Sequence, residues 1–543
     1  MKRNSIITLL IVIACTLSAC KGFLSVEPAD SIAMGDFYKT EANIRQNTAS
    51  LYTMKSWSAF SHQFMWMAGD ELSGDLYYTY DQEGQFYYMS FGANNSFLTQ
   101  GWQGLYRIIS FANNIINTMP ALARANGISE DAIERGLAES RCIRGTAYWI
   151  LTEYWGDVTI VENNVAMQSA ILRRNTQESV YRFIVEDLTY AMEHLPEADS
   201  QLGRATKWSA AGMLAKVYLS MASHLNQAES DACFTKAKEL AQEVIEKSGL
   251  SLWSNYATLF DIVANNNPES QLAIQCIVGG YGYGNAHNCN WSRTSCADQA
   301  WGDGKGPTVN LQKQYEDGDL RRQWVYMAEG DYYPNINKAD GGYTYHIAVV
   351  DEQGNELETA NEMLCHCKKY CIGRAADCDG GVGDAQDAGN NIYLLRLADV
   401  YMVYVEACIG SGDATSDPLA LDVYNRIRTR AGLPNDEDGS ITYDELIHER
   451  RCEFAFEGIN FFDIKRMFYR DEAKALAYLN GMNREQGYYN SDPSKKTVRE
   501  GYTLDLTRSP IIVTAPQMML PIPGSELTAM PSLQEPAVDY YAK

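Results

Sequence analysis

Glu449-Arg450-Arg451-Cys452-Glu453-Phe454-Ala455-Phe456-Glu457-Gly458, running into Phe462-Asp463-Ile464-Lys465-Arg466, is the stretch on which the reading of this chain turns. Glu449, Glu453 and Glu457 recur every four residues, which sets three carboxylates on one face of a helix. Paired carboxylates roughly 5 to 9 Å apart are what glycoside hydrolysis requires, so the spacing invites an enzymatic reading. Arg450, Arg451, Lys465 and Arg466 stand beside them, however, and an ion-pair network is the simpler account. Charge pairing also lowers carboxylate pKa values, the wrong direction for a general acid. The stretch reads as scaffold.

The same helical texture extends on both sides. Leu395 to Ile409, Pro418 to Arg430 and Tyr443 to Phe456 read as helices late in the chain. Earlier, Ile143, Ala147, Ile150, Leu151 and Tyr154 recur at helical spacing from Glu139 to Tyr154, and Trp155-Gly156-Asp157 closes that run with a glycine able to take positive φ. Gln177 to His194 ends at Leu195-Pro196. Ala205 to Ala222 carries Ala211, Leu214, Ala215 and Tyr218 on one face, and Phe234 to Lys247 follows. Alanines at contact positions let antiparallel hairpins pack closely, as tetratricopeptide repeats do, although no strict consensus of about 34 residues is kept. The expected fold is mainly α, a tetratricopeptide-like helical-hairpin scaffold with a large irregular, loop-rich part.

That irregular part lies between the helical blocks, over about residues 251–391, and is rich in glycine, asparagine and aromatics. Tyr281-Gly282-Tyr283-Gly284, Trp291 and Trp301-Gly302-Asp303-Gly304 are its most conspicuous parts. Long irregular segments in compact proteins usually carry function. A second aromatic patch, Tyr77, Tyr78, Tyr80, Phe86, Tyr87 and Tyr88, precedes the first strongly periodic helix. Rings of this kind serve cores as well as sugar-binding surfaces, and those set in glycine- and asparagine-rich loops are the better candidates for exposure. The stacking candidates are therefore Trp291, Trp301 and Tyr283, followed by Tyr78 and Tyr80, with Asn94 and Asn95 as hydrogen-bonding partners.

A formal net charge of −24 repels polyanions, so nucleic acid and acidic membrane surfaces are poor partners. There is no Gly-x-Ser-x-Gly elbow, phosphate loop or His-Glu-x-x-His motif, and the seven histidines are scattered. No catalytic residue and no cofactor is expected.

Leu17-Ser18-Ala19-Cys20 reads as the cleavage site of a bacterial lipoprotein signal. Lys2 and Arg3 form a positive n-region, Ile6 to Ala14 an apolar run, and Ser18 and Ala19 make room for the peptidase. The run is shorter than the about 20 apolar residues that span a bilayer. Residues 1–19 are then removed and Cys20 is the lipid attachment site, its acyl chains adding about 0.8 kcal/mol of membrane affinity per buried methylene. Of the 13 cysteines, Cys15 leaves with the signal and Cys20 takes lipid, which leaves 11, an odd number. Cys365-His366-Cys367, Cys371 and Cys378 form the dense cluster. Export favours one or two local disulfides there, with free thiols or a metal as alternatives. The acidic residues Asp377, Asp379, Asp384 and Asp387 read as a solvated loop, with calcium as the alternative despite the absence of EF-hand spacing.

Several separated stretches together resemble the SusD/RagB family of outer-membrane nutrient-uptake lipoproteins. Phe23-Leu24-Ser25-Val26-Glu27-Pro28 with Phe37-Tyr38-Lys39-Thr40 is similar to the family's N-terminal arm, and Trp102 to Asn114, with Tyr106 and Asn113, to its first long helix. Arg141 to Asp157, Gly203-Arg204-Ala205-Thr206-Lys207 entering Leu214 to Leu219, and Leu395 to Tyr401 with Glu406-Ala407 match further signatures. The most specific are the stretch at 449–466 and Leu520-Pro521-Ile522-Pro523 with Glu526, Pro531 and Gln534. Departures are Asn460 where arginine is usual, Met530 and Glu535 in place of asparagines, and Lys21-Gly22 in place of an acidic stretch. The resemblance implies one SusD-like unit over residues 20–543: an N-terminal arm and helices to about 250, a ligand-binding insert to about 391, and returning helices to the end. It implies an outer-membrane, cell-surface location and capture of oligosaccharide or polysaccharide for a TonB-dependent transporter that the lipoprotein caps as a lid. An anchored glycoside-processing enzyme, or a binder of another nutrient such as peptide, is the alternative.

Overall fold

The computed structural model describes residues 37–165, 171–225, 227–292, 295–298, 300–302, 305–346, 365–383, 386–485 and 511–542. The expected signal, Cys20, the stretch 21–28 and Asp384 lie outside the described residues.

Caps and small residues set the helical frame. Glu41–Ala49 (α1) and Met54–Ser61 (α2) precede Ser96–Ala125 (α3). Asn95 caps α3, its Oδ1 accepting from the amides of Phe97 at 2.9 Å and Leu98 at 3.1 Å. Glu130–Trp155 (α4) starts behind Ser129 with Glu130 and Asp131 at its positive end. That polar first turn explains why apolar periodicity locates the helix only from Glu139. Gln177–His194 (α5), Lys207–Ala222 (α6) and Gln227–Lys247 (α7) follow. Each of α3 to α7 packs on the next, so the apolar face of one helix is covered by its neighbour. On α6 the fully buried Ala210, Ala211 and Ala215 hold no side chain beyond Cβ, which permits the close approach of α5 and α7.

The chain leaves the stack after α7 and returns as Leu397–Ile409 (α8), Pro418–Arg430 (α9), Tyr443–Phe454 (α10), Asn460–Arg470 (α11) and Glu472–Asn480 (α12). α8 lies against α6 and α7 and thereby continues the stack, with α9 and α10 on its far side. The strands β1 (Leu76–Tyr77), β2 (Ser270–Ile274), β3 (Gly306–Pro307) and β4 (Ile392–Arg396) close the excursion. β4 runs antiparallel to β2 with Ile392 opposite Ile274 and Arg396 opposite Ser270, so the helix expected from Leu395 begins two residues later. The buried apolar side chains form one contiguous cluster from Tyr38 to Leu520, plus a small satellite of Ile372, Val382 and Ala388. Among the described residues no helix is long and apolar enough to cross a membrane.

Inside this cluster runs a charge network, but its partners differ from the expected ones: Arg450, Arg451 and Arg466 pair with Asp399, Asp75 and Glu406, and the three glutamates draw their cations from outside the stretch at 449–466. Glu453 accepts from Arg396 at 2.6 Å and Arg321 at 3.2 Å, and also pairs with Arg430. Glu449 meets Arg321 at 2.5 Å, and Glu457 meets Lys369 at 2.9 Å and Arg396 at 2.8 Å. Burial alone raises the Glu453 carboxyl, but Arg430, Arg396 and Arg321 outweigh it and hold the group well below the usual carboxylate range. Such a carboxylate has no proton to donate. On the other side of α10, Arg451 Nε and Asn460 Nδ2 share the carboxylate of Asp75, at 2.7 Å and 2.6 Å.

All eleven described cysteines are thiols, so the expected local disulfide is not formed among the described residues. The reason is their packing. Cys367 and Cys371 are fully buried among apolar side chains, Cys378 Sγ lies 3.3 Å from the Ile372 carbonyl and Cys365 Sγ lies 3.9 Å from Gln312 Oε1. Burial raises the pKa of each of these thiols, and they behave as small hydrophobes.

Candidate functional site

Two stretches far apart in sequence carry exposed rings. The first follows β1, which pairs antiparallel with β3, Leu76 opposite Pro307 and Tyr77 opposite Gly306. Beyond β1 the rings of Tyr78 and Tyr80 lie 6.4 Å apart, and Tyr80 is 70% exposed. Trp66 supports Tyr78 at 6.4 Å. Lys305, which immediately precedes β3, sends its ammonium to 4.8 Å from the Trp66 ring, 4.5 Å from the Tyr78 ring and 3.9 Å from the Glu83 carboxylate.

The second stretch is the glycine-rich loop at 279–284. The Asp387 carboxylate accepts from the amides of Gly279 at 2.8 Å and Gly280 at 2.5 Å, and Tyr283 N donates to Gly280 O at 3.1 Å. This clamp turns Tyr281 outward, 68% exposed, with its ring edge-on to His62 at 5.6 Å. Tyr283 is 40% exposed beneath the Lys55 ammonium, 4.9 Å from its ring. Further on, Trp301 N donates to Cys289 O and Gly302 N to Ser292 O, both at 2.8 Å. A Cβ on Gly302 would stand 2.4 Å from Ser292 O, so glycine alone permits this approach. The Trp301 indole projects from it, 64% exposed. The two stretches meet at His62, whose carbonyl accepts from Trp66 Nε1 at 3.0 Å and Asn290 Nδ2 at 3.3 Å, and at Lys305, whose amide donates to Gly302 O at 2.9 Å.

Of the expected site residues, Tyr78, Tyr80, Tyr283 and Trp301 thus belong to this neighbourhood. Trp291 does not present its ring there. Its indole is 1% exposed, stacked on His287 at 4.5 Å and packed against Phe456 at 5.7 Å and Tyr370 at 6.0 Å, so the expectation of a surface ring is corrected. Asn95 is corrected too: the oxygen caps α3, and the amide nitrogen donates to Gln82 O at 2.8 Å and Gln85 Oε1 at 2.9 Å. Its groups are spent bracing the turn behind Tyr80. Asn94 is exposed beside Gly524, whose amide donates to the carbonyl of Ala93 at 2.8 Å. Periodicity offers no signal for Lys305, Trp66 or His62, because each acts through partners distant in sequence. Tyr281 was visible in the Tyr-Gly-Tyr-Gly alternation.

Burial raises the Glu83 carboxyl and Lys305 works against that rise, while Glu71, also raised by burial and then by the nearby Glu83, is fully enclosed and out of reach of any substrate. Among the described residues no group of three or more His, Cys, Asp or Glu side chains is arranged to hold a metal. Asp387, one of the acidic residues considered for calcium, instead holds the 279–280 amides, and Asp377 accepts from the amides of Arg374 at 3.0 Å and Lys338 at 2.8 Å.

The structure is thus a stack of helical hairpins with exposed aromatic rings on segments outside the stack. The chain belongs to the SusD family: a sequence model described as SusD family matches residues 234–540, and another, described as starch-binding associating with outer membrane, matches residues 22–219. A SusD-like protein of Bacteroides ovatus is 33% identical over 562 residues, covering 98% of both chains. A crystal structure with xylogluco-oligosaccharide superposes with a TM-score of 0.80 at 31% identity, covering 92% of this chain and 99% of that one. A laminarin binding SusD-like protein shares the fold, with a TM-score of 0.66 at 21% identity over 93% of this chain and 100% of that one.

Proposed function

We propose that this chain is a lipid-anchored glycan-binding protein of the outer membrane that captures oligosaccharide or polysaccharide on the ring face and delivers it to a TonB-dependent transporter, without turnover. The observation that carries the reading is the set of outward rings, Tyr80, Tyr281, Tyr283 and Trp301, on stretches joined through His62 and Lys305. A pyranose offers an apolar face of C–H groups to such rings, and its hydroxyls meet neighbouring polar groups and water. Covering about 60 Å² of apolar surface on one ring contributes about 1.5 kcal/mol. Two or three rings, less the cost of association, correspond to dissociation constants from about millimolar to tens of micromolar. Weak capture suits a protein that hands its cargo on.

Membership in the SusD family supports this reading, as do the xylogluco-oligosaccharide held by a structural relative and the outer-membrane association in the description of the matching sequence model. The lipobox ending at Cys20 supports the anchor. The transporter is inferred from the family, and an anchored lid gains from the high local concentration that the membrane imposes on both partners.

Calorimetry against xyloglucan oligosaccharides, laminarin and starch fragments tests the reading. Binding to at least one of these is expected, with ligands recovered at full length, and replacing Trp301 and Tyr281 together with Ala is expected to abolish it. A double variant that binds like the parent chain refutes the ring face. Cys20→Ala is expected to release the protein from the outer membrane, and a mild-detergent pull-down of the lipidated protein to recover a TonB-dependent barrel.

A further inference from the structure

Lys305 is an ammonium with almost no access to water, 4% exposed, and like Lys216, Lys368, Lys369 and Lys465 it is one of the buried lysines among the described residues. Lysine is seldom buried to this extent unless its charge is matched. Here the match is partly a carboxylate, Glu83 at 3.9 Å, and partly the π faces of Trp66 and Tyr78 at 4.8 Å and 4.5 Å. The ammonium lies at the seam between the two halves of the ring face. Its side chain underlies the Tyr78–Tyr80 half, and its amide hydrogen bonds to Gly302 O, next to Trp301 of the other half. The following two residues, Gly306 and Pro307, are the strand paired to β1, from which Tyr78 emerges.

We propose that Lys305 is a positioning residue for glycan capture: by occupying one face of Tyr78 it fixes the Tyr78–Tyr80 platform at a set offset from Trp301, so that a single sugar chain lies across both. This rests on the reading of the ring face as the glycan site. A ring covered on one side by an ammonium has only its other side and edge for a ligand, and a desolvated cation–π contact is strong enough to hold a tyrosine in one rotamer. Without the ammonium, Tyr78 keeps only Trp66, the Glu83 carboxylate and the neighbouring Tyr80 ring, and the seam can close into the space left behind. The lysine touches no ligand in this scheme. It acts through the rings.

The test uses the full chain and an oligosaccharide shown to bind it, with calorimetry as the readout. Lys305→Met keeps the stem and removes the charge, and affinity is expected to fall about tenfold, the size of one partly buried cation–π contact. Lys305→Arg restores charge over the rings and is expected to recover affinity to within about threefold. In a Tyr80→Ala background the Lys305→Met penalty is expected to shrink below about twofold, because the platform it positions is already gone. A purely structural lysine predicts the same penalty in both backgrounds and no rescue by arginine, and that result overturns the proposal. If Lys305→Met does not fold, Lys305→Gln carries the test: a severalfold loss restored by Lys305→Arg supports the role, and unchanged affinity removes it. Loss of binding in Trp301→Ala alongside an unaffected Lys305→Met rejects the lysine alone. Unaffected binding in both rejects the ring face as well.

Discussion

Trp291 and Trp301 carry the same side chain ten positions apart, and burial separates their roles. Trp291 fills the space between His287, Tyr370 and Phe456, so Trp291→Ala opens a cavity and is expected to lower the unfolding free energy by about 3 to 5 kcal/mol in denaturant titrations. Trp301→Ala is expected to stay within about 0.5 kcal/mol while removing glycan binding. Equal losses of stability in the two variants contradict this division. The buried histidines respond to pH with a definite sign. Burial lowers His62 and His224 from 6.5 to about 4 and His287 from 6.5 to about 3. The unfolded chain therefore takes up protons that the native chain refuses as the pH falls below about 6.5. Their contribution is complete above that value and is lost on acidification, by about 2 kcal/mol for each histidine between pH 7 and pH 5. His224→Gln is expected to reduce the slope of stability against pH in this window, and a parent chain with no slope there contradicts the assignment.

At the scale of elements, α10 is held by buried charges as well as by its core side chains Leu446, Ile447 and Phe454. Glu453 is the hub, contacting Arg396, Arg321 and Arg430 inside a volume closed to water. Glu453→Gln leaves buried guanidinium groups short of negative charge and is expected to cost about 3 to 5 kcal/mol, measured by chemical denaturation. A loss below about 1 kcal/mol shows that the network is dispensable. Glu453 and Asp399 are both held below the ordinary carboxylate range by their cationic partners against the opposing effect of burial. Their contribution is present above the unfolded carboxylate pKa near 4.5 and lost as pH falls through the lower folded value, so it adds to acid sensitivity below the histidine window.

Across the whole molecule, the last described segment is sewn onto the first helices. Leu520 N donates to Tyr154 O at 2.9 Å, Trp155 Nε1 to Pro521 O at 3.0 Å, and Thr176 N to Val538 O at 3.0 Å. Gly156, at φ +68°, turns the chain out of α4 directly against the side chain of Met519. The late helix α8 meanwhile completes the early stack through α6 and α7. Ends so interleaved predict one calorimetric transition for the described body. Deleting residues 511–542 uncovers Trp155 and is expected to yield aggregated protein by size-exclusion chromatography; a soluble monomer with the parent melting temperature contradicts that coupling.

The helical scaffold was legible because helical periodicity is local: Ile143, Ala147, Ile150, Leu151 and Tyr154 declare a face within a few turns, and Gly156 declares its end. That the Glu449-to-Arg466 stretch is charged was legible too, but its pairing was not, since Glu449, Glu453 and Glu457 meet Arg321, Arg396, Arg430 and Lys369 from distant parts of the chain. The polar starts of α4 and α7 were not, because polar and charged first turns carry no apolar signal. Nor could the sequence by itself rank its aromatics. Whether Trp291 or Trp301 faces water depends on Tyr370 of the irregular segment and on Phe456, which reaches Trp291 only when the late helices return to the stack. The role of Asn95 depends on which helix begins behind it, and that of Lys305 on two rings and a carboxylate from a stretch more than two hundred positions earlier. Local propensity and composition determined what this chain is built from. Tertiary contact alone decided which groups water, and therefore a ligand, can reach, because exposure belongs to the packed neighbourhood and not to the residue.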